Sequence, residues 1–321
     1  MNRRDYLASM AALAVAPAVT PAAAQTPAAP PREIPRIAGP NPDTRRPNFV
    51  MPKGAVDCHT HVFGPQTLFP FAATRPYTPP EAPLVAFATL HGRLGIERAV
   101  IVNATVHGTD ARVVADAIAR SGGRYLGIIN INDSFDEKQL AALNEQGMRG
   151  CRFTFVGHLG GPANLDVLQR AIPKIRPLGW HVDLYLEPQM IPVMAPMLTK
   201  LPVRYVIDHM GLPNAAEGLD QPNFVALLKL LREDDKAWVK ISGPERASRA
   251  GPPFADAVPF ARALIEAAPD RVIWGSDWPH PNVKFMPNDG DLVDLIPQYA
   301  PDPAVRQKLL VDNPVRLFGF V

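Results

Sequence analysis

The sequence is poor in cysteine, with only Cys58 and Cys151 in 321 residues. So few thiols exclude a disulfide-stapled scaffold. Each cysteine lies on a predicted strand with two further predicted strands between them, so their Cα atoms are not expected within the about 7 Å that a disulfide needs. Both are therefore predicted to be buried core thiols that face away from any active site.

The sequence also lacks an excess of charge of either sign. There are 33 lysines and arginines against 31 aspartates and glutamates, a formal net charge of +2. This balance gives no electrostatic case for a nucleic-acid partner or an anionic membrane surface. Hydrophobic residues make up 47% and charged residues 20%, which is ordinary for a globular protein with a full core.

The N-terminal residues 1–24 read as an export signal peptide. Arg3-Arg4 precede an aromatic residue and Leu7, an apolar run continues to Val19, and small residues follow up to Ala24. Paired arginines indicate the twin-arginine route, and the run is too short and alanine-rich for a membrane anchor. We expect cleavage after Ala24, a periplasmic location and no membrane association afterwards. Residues 25–52, rich in proline and without periodicity, predict a linker or an arm on the domain.

Residues 53–321 predict a single barrel domain, because strand-like and helix-like segments alternate along them. The strand-like runs are 54–59, 97–102, 124–130, 148–154, 181–186, 203–208, 238–242 and 271–275. Helix-like segments occupy 82–94, 110–120, 136–146, 164–178, 189–200, 223–233 and 254–268, followed by 290–299 and 303–317. Eight such units predict an α/β fold of the (β/α)8 TIM-barrel type. The alternative, an open doubly wound sheet, would carry a glycine-rich phosphate loop after its first strand, where this chain has a histidine pair.

That histidine pair, His59-Thr60-His61, ends the first predicted strand. Side chains alternate along a strand, so His59 and His61 are expected on one face, with Asp57 one step below on the same face. Two converging imidazoles can hold a metal, polarise a carbonyl or move a proton. Alone, the pair is a weak signal, and the alternative is a polar surface hairpin.

Polar residues at the ends of later strands strengthen the case for an active site, since barrel chemistry lies at the carboxyl ends of the strands. These residues are Arg152, Tyr185, His209, Arg246 and Asp277. The alternatives to an active-site role are surface ion pairs for the two arginines and a purely structural place in the core for the tyrosine. His91 and His107 are assigned to surface segments, and His181 to the far end of its strand. The sequence does not decide which strand face Lys240 occupies. His280 is equally compatible with a supporting role beside the site and with a surface position.

Four segments together resemble the amidohydrolase superfamily, closest to its pyrone-dicarboxylate lactonase-like branch. They are 56–65, 207–211, 240–243 and 274–280, and the resemblance extends over roughly residues 50–320. It implies a (β/α)8 barrel that opens a lactone or related cyclic carboxylate. Matching positions are His59, His61, Tyr77, Arg152, Tyr185, His209, Arg246 and Asp277; Tyr77 is indicated by the resemblance alone.

The resemblance implies a role for each matched residue. Asp277 is the general base that activates water, and His59, His61 and His209 donate hydrogen bonds to the carbonyl. Arg152 and Arg246 bind a carboxylate, while the tyrosines orient the ring. His158 stands where the lactonase pattern has a further arginine. With His158 in the substrate site, a substrate with one carboxylate is expected.

The same resemblance bears on metal binding and on the reaction. Zinc-binding members add a histidine on strand five, a position that Tyr185 takes here, so no cofactor is expected. The alternative is a single zinc held by His59, His61, His209 and Asp277. Two other functions stay open: a lactone isomerase using the same site, and a catalytically silent barrel that binds an organic acid. The oligomeric state is not indicated.

Overall fold

Eight parallel strands, β1 to β8, follow one another in chain order around a single sheet. They comprise Val56–Thr60, Arg98–Val102, Tyr125–Asn130, Met148–Phe155, His181–Leu186, Tyr205–Ile207, Ala237–Ile241 and Val272–Trp274. All eight lie where the sequence predicts them, with small differences at the ends. The predicted (β/α)8 barrel is confirmed. The computed structural model describes residues 33–159 and 164–320, so the predicted signal peptide, 1–24, lies outside the described residues.

Helices α1 to α12 fill the connections between strands and follow the last one. They comprise Leu84–Leu94, Arg112–Arg120, Glu137–Glu145, Leu165–Ile175, Met190–Leu198, Pro222–Glu233, Pro244–Ala247, Val258–Ala267, Asp289–Asp294, Ile296–Tyr299, Pro303–Gln307 and Asn313–Phe318. The predicted helix 290–299 is divided, because Pro297 lacks the N–H that a continuous helix would use. The short helix α7 was not predicted, and it carries Arg246. No helix in the described ranges is long and apolar enough to cross a bilayer.

The barrel is closed by hydrogen bonds between β1 and the segment after β8. The Asp277 N–H donates to the carbonyl of His59, and the His61 N–H donates to the carbonyl of Trp278, both at 2.8 Å. Gly275 makes this approach possible. A Cβ at Gly275 would lie 2.7 Å from the His59 backbone nitrogen, which is closer than atoms can pack. Closure therefore places the chain around Asp277 directly beside the histidine pair.

Two hydrophobic clusters fill the domain. The larger packs the outer faces of the strands against the helices. The smaller lies inside the barrel and is completed by Leu317, Phe318 and Phe320 from the C-terminal end of the chain. Both cysteines are buried and free, as predicted. Cys151 belongs to the outer cluster, but Cys58 belongs to the inner one. Cys58 therefore points into the barrel, although its place beside an inward residue suggested the opposite face.

The described part of the proline-rich segment runs along the barrel. Ile37 and Thr78 join the two segments through backbone hydrogen bonds, the Ile37 N–H donating to the Thr78 carbonyl at 3.1 Å. Further along, Arg45 donates to the carboxylate of Asp294 at 2.6 Å. The Asp294 carboxylate also accepts from the Phe49 N–H at 2.8 Å. Residues 34–52 thus pack against the loops at the mouth and against the helices after β8.

Candidate active site

A β-bulge in β1 turns both histidines of the pair into the barrel. Asp57 pairs with Ala99, but Thr60 already pairs with Ile101, so three steps on β1 oppose two on β2. His59 and His61 therefore point inward. Asp57 instead reaches outward, where its carboxylate lies 3.3 Å from His91 Nε2 on α1. The predicted shared face for Asp57 and His59 was wrong, because the extra residue reverses the alternation.

Asp277 faces the two histidines from the end of β8. Its Oδ1 lies 3.6 Å from His59 Nε2 and 3.5 Å from His61 Nε2. Its backbone is held at φ 68°, a left-handed conformation that is rare outside glycine, asparagine and aspartate. Strain of this kind is characteristic of functional sites. The side chain is 1% exposed, so the carboxylate is almost fully removed from solvent.

Arg246, on α7, forms an ion pair with the other oxygen of the Asp277 carboxylate. Its Nε and Nη2 donate to Asp277 Oδ2 at 3.0 and 2.6 Å. Burial alone would raise the pKa of Asp277, but the positive charge of Arg246 holds that pKa well below its usual range. Asp277 is therefore a carboxylate at every pH at which the protein is expected to work. The alternative of a surface ion pair for Arg246 does not apply, since its ion pair with Asp277 lies inside the site.

His209 completes the imidazole cluster from the turn after β6. Its ring centroid lies 4.7 Å from that of His59 and 4.9 Å from that of Tyr185. Its Nδ1 is 3.0 Å from the Ser242 hydroxyl, which fixes the ring orientation. Burial lowers the pKa of His209 well below its usual value, and burial lowers the pKa of His59 to about 4. Both rings are therefore neutral near pH 7.

Arg152 and Lys240 form a buried charge network beneath the histidines. The Arg152 Nε donates to Asp208 Oδ2 at 2.9 Å, and the guanidinium lies 5.0 Å from the ring centre of Tyr185. Lys240 is 0% exposed and points into the barrel. Its ammonium donates to Asp183, lies 3.2 Å from Asp208 Oδ1, and lies 3.2 Å from Nδ1 of His59. Two cations and two carboxylates thus balance one another inside the barrel.

Two cavities meet at the top of the barrel. An inner space of about 20 Å³ adjoins Asp277, His61 and His209, enough for one water. It adjoins an outer cavity of about 760 Å³, which the arm residue Pro35 also lines. The predicted substrate-binding residues that line both spaces are Tyr77, His158, Tyr185 and Arg246. Arg152 lines the inner space only.

His158 and the tyrosines differ in their exposure. Tyr77 is 3% and Tyr185 4% exposed, and burial raises the pKa of each hydroxyl, so both stay protonated. His158 is exposed at the mouth, with its ring 6.0 Å from that of Tyr185. Burial and the positive charge of Arg246 lower the pKa of His158, so it offers no full charge near pH 7. Eight of the nine predicted site residues therefore line these two cavities. The ninth, His59, is 0% exposed and lies behind them, beside Asp277.

Sequence reasoning missed several buried polar residues around the site. Lys240 carried a signal, since it shares strand parity with Ser242, but its face stayed open. Glu245 is 3% exposed, and its carboxylate has no hydrogen-bond partner among the described residues. His280 is buried and its Nε2 lies 3.0 Å from Asp289 Oδ1, so it supports the site from within. The surface assignments of His91 and His107 were wrong, because both are buried.

Three of the four residues suggested as zinc ligands lie together, and the fourth, His209, groups instead with His59 and Asp208. Ligand atoms of His59, His61 and Asp277 are within 4.8 Å of one another. A zinc-bound histidine normally donates its other ring N–H to an acceptor, and His61 Nδ1 lies 2.8 Å from the Val102 carbonyl oxygen. His59 departs from this pattern, because its Nδ1 faces the Lys240 ammonium, a donor, at 3.2 Å. On this ground His59 fits a zinc ion less well than His61 does.

Comparison with known proteins identifies the family to which this barrel and its site belong. The sequence profile of the amidohydrolase family matches residues 56–320. The chain belongs to the amidohydrolase family. It is 45% identical over 282 residues to a 2-pyrone-4,6-dicarboxylate hydrolase of Comamonas testosteroni, covering 85% of this chain and 92% of the relative. It is 43% identical over 292 residues to a 4-sulfomuconolactone hydrolase of Rhizobium radiobacter, covering 90% and 97%.

A solved structure agrees in fold, and a more distant sequence relative is named for a different reaction. A crystal structure of an Acinetobacter baumannii protein with citric acid bound superposes with a TM-score of 0.74 at 28% identity, covering 83% of this chain and all of the other. A D-galactarolactone isomerase of Agrobacterium fabrum is 31% identical over 277 residues, covering 85% of this chain and 93% of the relative. The predicted membership in the lactonase-like branch of the amidohydrolases is confirmed by these matches.

Proposed function

We propose that this protein hydrolyses a lactone or related cyclic ester that bears an anionic group. The observation that carries the proposal is a buried carboxylate, Asp277, held by Arg246 on one oxygen and facing His59 and His61 with the other. The relatives named as lactone hydrolases support the same reaction class. A carboxylate in this setting is suited to take a proton from water.

The proposed reaction begins with water in the inner space beside Asp277. The water oxygen attacks the lactone carbonyl carbon while its proton passes to Asp277 Oδ1. The carbonyl electrons move onto oxygen, where hydrogen bonds from His59 and His209 stabilise the oxyanion. When the intermediate collapses, the ring C–O bond breaks and the proton on Asp277 passes to the leaving oxygen. The product is a ring-opened hydroxy acid or its tautomer.

The two arginines and the tyrosines are proposed to hold the substrate. The outer cavity of about 760 Å³ is large enough for a lactone ring, whereas the inner space holds only the attacking water. Arg152 attracts an anionic group from below the tyrosines. Arg246 is proposed to bind two partners. Its Nε and Nη2 donate to Asp277, and its remaining N–H groups donate to the substrate. Tyr77 and Tyr185 orient the ring with protonated hydroxyls.

Substrate charge is proposed to be limited by His158. The lactonase pattern has an arginine at this position, while His158 is neutral near pH 7 and exposed at the mouth. We therefore propose a preference for one carboxylate with a neutral or hydroxyl group at the far end. The names of the two relatives, a dicarboxylate hydrolase and a sulfomuconolactone hydrolase, make doubly charged lactones the necessary comparison substrates.

The proposed reaction needs no metal. The support for this is the position of Lys240, which directs a donor at His59 Nδ1 where a zinc site would have an acceptor. The test is a panel of lactones and cyclic esters followed by acid release with a pH indicator, each measured with added zinc and with chelator. Activity that disappears with chelator and returns with zinc would overturn this part of the proposal.

Isomerisation is the second candidate, because a 31% identical relative is a D-galactarolactone isomerase. In that reaction the acyl group would pass to another hydroxyl of the substrate, with no net release of acid. Product analysis on the same panel separates the two. A silent acid-binding barrel is the third, and calorimetric binding of organic acids without turnover of any lactone would favour it.

We propose that the protein is exported and acts in the periplasm. The twin-arginine-like residues 1–24 support a periplasmic location, with cleavage after Ala24. Mass spectrometry of protein from a periplasmic fraction should give a mature N-terminus at Gln25. An intact Met1 on the active protein would contradict export with cleavage.

A further inference from the structure

The Lys240 ammonium is surrounded by acceptors on three sides. It has three N–H bonds and no lone pair, and three atoms lie within reach. One is a carboxylate oxygen of Asp183, the second is Asp208 Oδ1 at 3.2 Å, and the third is His59 Nδ1 at 3.2 Å. Because an ammonium cannot accept a hydrogen bond, His59 Nδ1 must offer it a lone pair. The proton of a neutral His59 then lies on Nε2.

Asp208 does not reverse this assignment. Its Oδ1 lies 3.4 Å from His59 Nδ1, which is farther than the Lys240 nitrogen. That oxygen is ion-paired with Lys240 at 3.2 Å, while Oδ2 accepts from Arg152 at 2.9 Å. The network of two cations and two carboxylates is electrically balanced, so Lys240 keeps its positive charge inside the barrel. A charged Lys240 and an N–H on His59 Nδ1 would place two donors face to face.

The other histidine of the pair has the opposite arrangement. His61 Nδ1 lies 2.8 Å from the carbonyl oxygen of Val102, and a carbonyl only accepts. Nδ1 of His61 therefore carries the proton, and in the neutral ring Nε2 has the lone pair. That lone pair points toward Asp277 Oδ1 at 3.5 Å. Two acceptors at this distance are well arranged to share the protons of one water between them.

We propose that Lys240 is a positioning residue that fixes His59 as the Nε2–H tautomer, opposite to the tautomer of His61. The inference rests on the proposed hydrolysis for its meaning in catalysis. One histidine of the pair then donates to the carbonyl oxygen of the substrate, while the other, with Asp277, accepts from the attacking water. This division replaces the expectation that His59 and His61 both act as donors.

A purely structural role for Lys240 is the alternative. In that case Lys240 only neutralises Asp183 and Asp208, and its removal would lower stability without changing His59. Replacing a whole buried ion pair by uncharged groups often leaves a protein as stable as before, whereas removing one partner leaves an unpaired buried charge. The control variant must therefore lose one positive and one negative charge. The double substitution Lys240→Met with Asp183→Asn removes one positive and one negative charge together. His59 Nδ1 is then free to protonate and donate to Asp208.

The tautomers can be read directly by NMR on protein labelled with ¹⁵N in histidine. Two-bond couplings to the ring protons distinguish Nε2–H from Nδ1–H, and His59→Gln and His61→Gln spectra assign the signals. In the native protein we expect Nε2–H for His59 and Nδ1–H for His61. In the double variant, and in Lys240→Met alone where it folds, His59 should change to Nδ1–H. This measurement needs no substrate, so its outcome is independent of the proposed reaction.

Zinc binding gives a second readout, because only a histidine with a free Nε2 can join His61 and Asp277 as a ligand. The double variant should bind Zn²⁺ at least about tenfold more tightly than native protein by calorimetry, the size of effect that outer-shell partners of metal ligands have on affinity. With a lactone that is turned over, kcat should fall about 10²-fold or more with KM little changed, as for loss of one oxyanion donor.

Lys236→Met is the matched control, since Lys236 also pairs with an aspartate but lies outside the barrel, 2.8 Å from Asp234. It should leave the histidine spectra, zinc affinity and turnover unchanged. The inference is overturned if native His59 carries its proton on Nδ1. It is also overturned if the folded double variant keeps the native His59 signals and the native zinc affinity.

Discussion

Replacing Asp277 by asparagine tests the centre of the proposed reaction. The amide has the same shape, but it cannot take a proton from water. Asparagine also tolerates the left-handed backbone, φ 68°, that this position requires. The change therefore removes the base while leaving the chain path intact. General-base catalysis is worth about 10²–10⁴-fold, or roughly 2.7–5.5 kcal/mol of barrier at 1.36 kcal/mol per factor of ten.

The assay is acid release from the best lactone of the panel, with kcat and KM measured separately. Asp277→Asn should lower kcat by at least the factor of about 10² given above. The Arg246 guanidinium loses its carboxylate partner in this variant, so circular dichroism and thermal unfolding must show a folded protein. Asp133→Asn is the matched control, because it makes the same chemical change in an exposed ion pair with Arg170. A folded variant with more than about a tenth of native kcat would refute the base role, and His61 would then be the next candidate.

Three other substitutions have defined outcomes. Arg246→Gln should move the acid limb of the kcat/KM profile to higher pH. Loss of the positive charge raises the pKa of Asp277, so the base becomes protonated at a higher pH than in the native protein. If the acid limb does not move, it reports the protonation of another group. His158→Arg should shift kcat/KM toward dicarboxylate lactones by about tenfold, the worth of one charged hydrogen bond, and equal ratios in both proteins would place His158 outside the substrate site. Gly275→Ala should cost about 1–3 kcal/mol in thermal unfolding, because its Cβ meets the His59 backbone; Gly92→Ala, with nothing within 4 Å, is the control that should not destabilise.

The fold was predictable because its signal is periodic and repeated. Eight alternations of strand and helix give a barrel even when individual ends are misplaced. The strand-end rule then selected Arg152, Tyr185, His209, Arg246 and Asp277 from many other polar residues. Tyr77 and His158 came only from the family resemblance, since a loop residue has no periodicity to place it.

Contacts within the site were not predictable in the same way. The sequence suggested that Arg246 holds a substrate anion, whereas the folded chain brings its fork onto Asp277. Lys240 and Asp183 lie on different strands, 57 positions apart, and pair only because the barrel brings β5 and β7 to one interior. Cys58 and Asp57 were misplaced for one local reason, the bulge in β1. Strand parity cannot reveal an inserted residue, because the sequence carries no mark of where pairing skips.

The same bulge sets a condition for transplanting this histidine pair into another protein. A designer who copies His59-Thr60-His61 onto a regular strand of a different barrel would bring Asp57 inward along with the two imidazoles, adding an unwanted buried acid. Deleting one residue from β1 here would turn the imidazoles toward the helices. The graftable unit is therefore 56–61 together with the skipped pairing to β2, and a shorter motif would deliver the residues without their orientation.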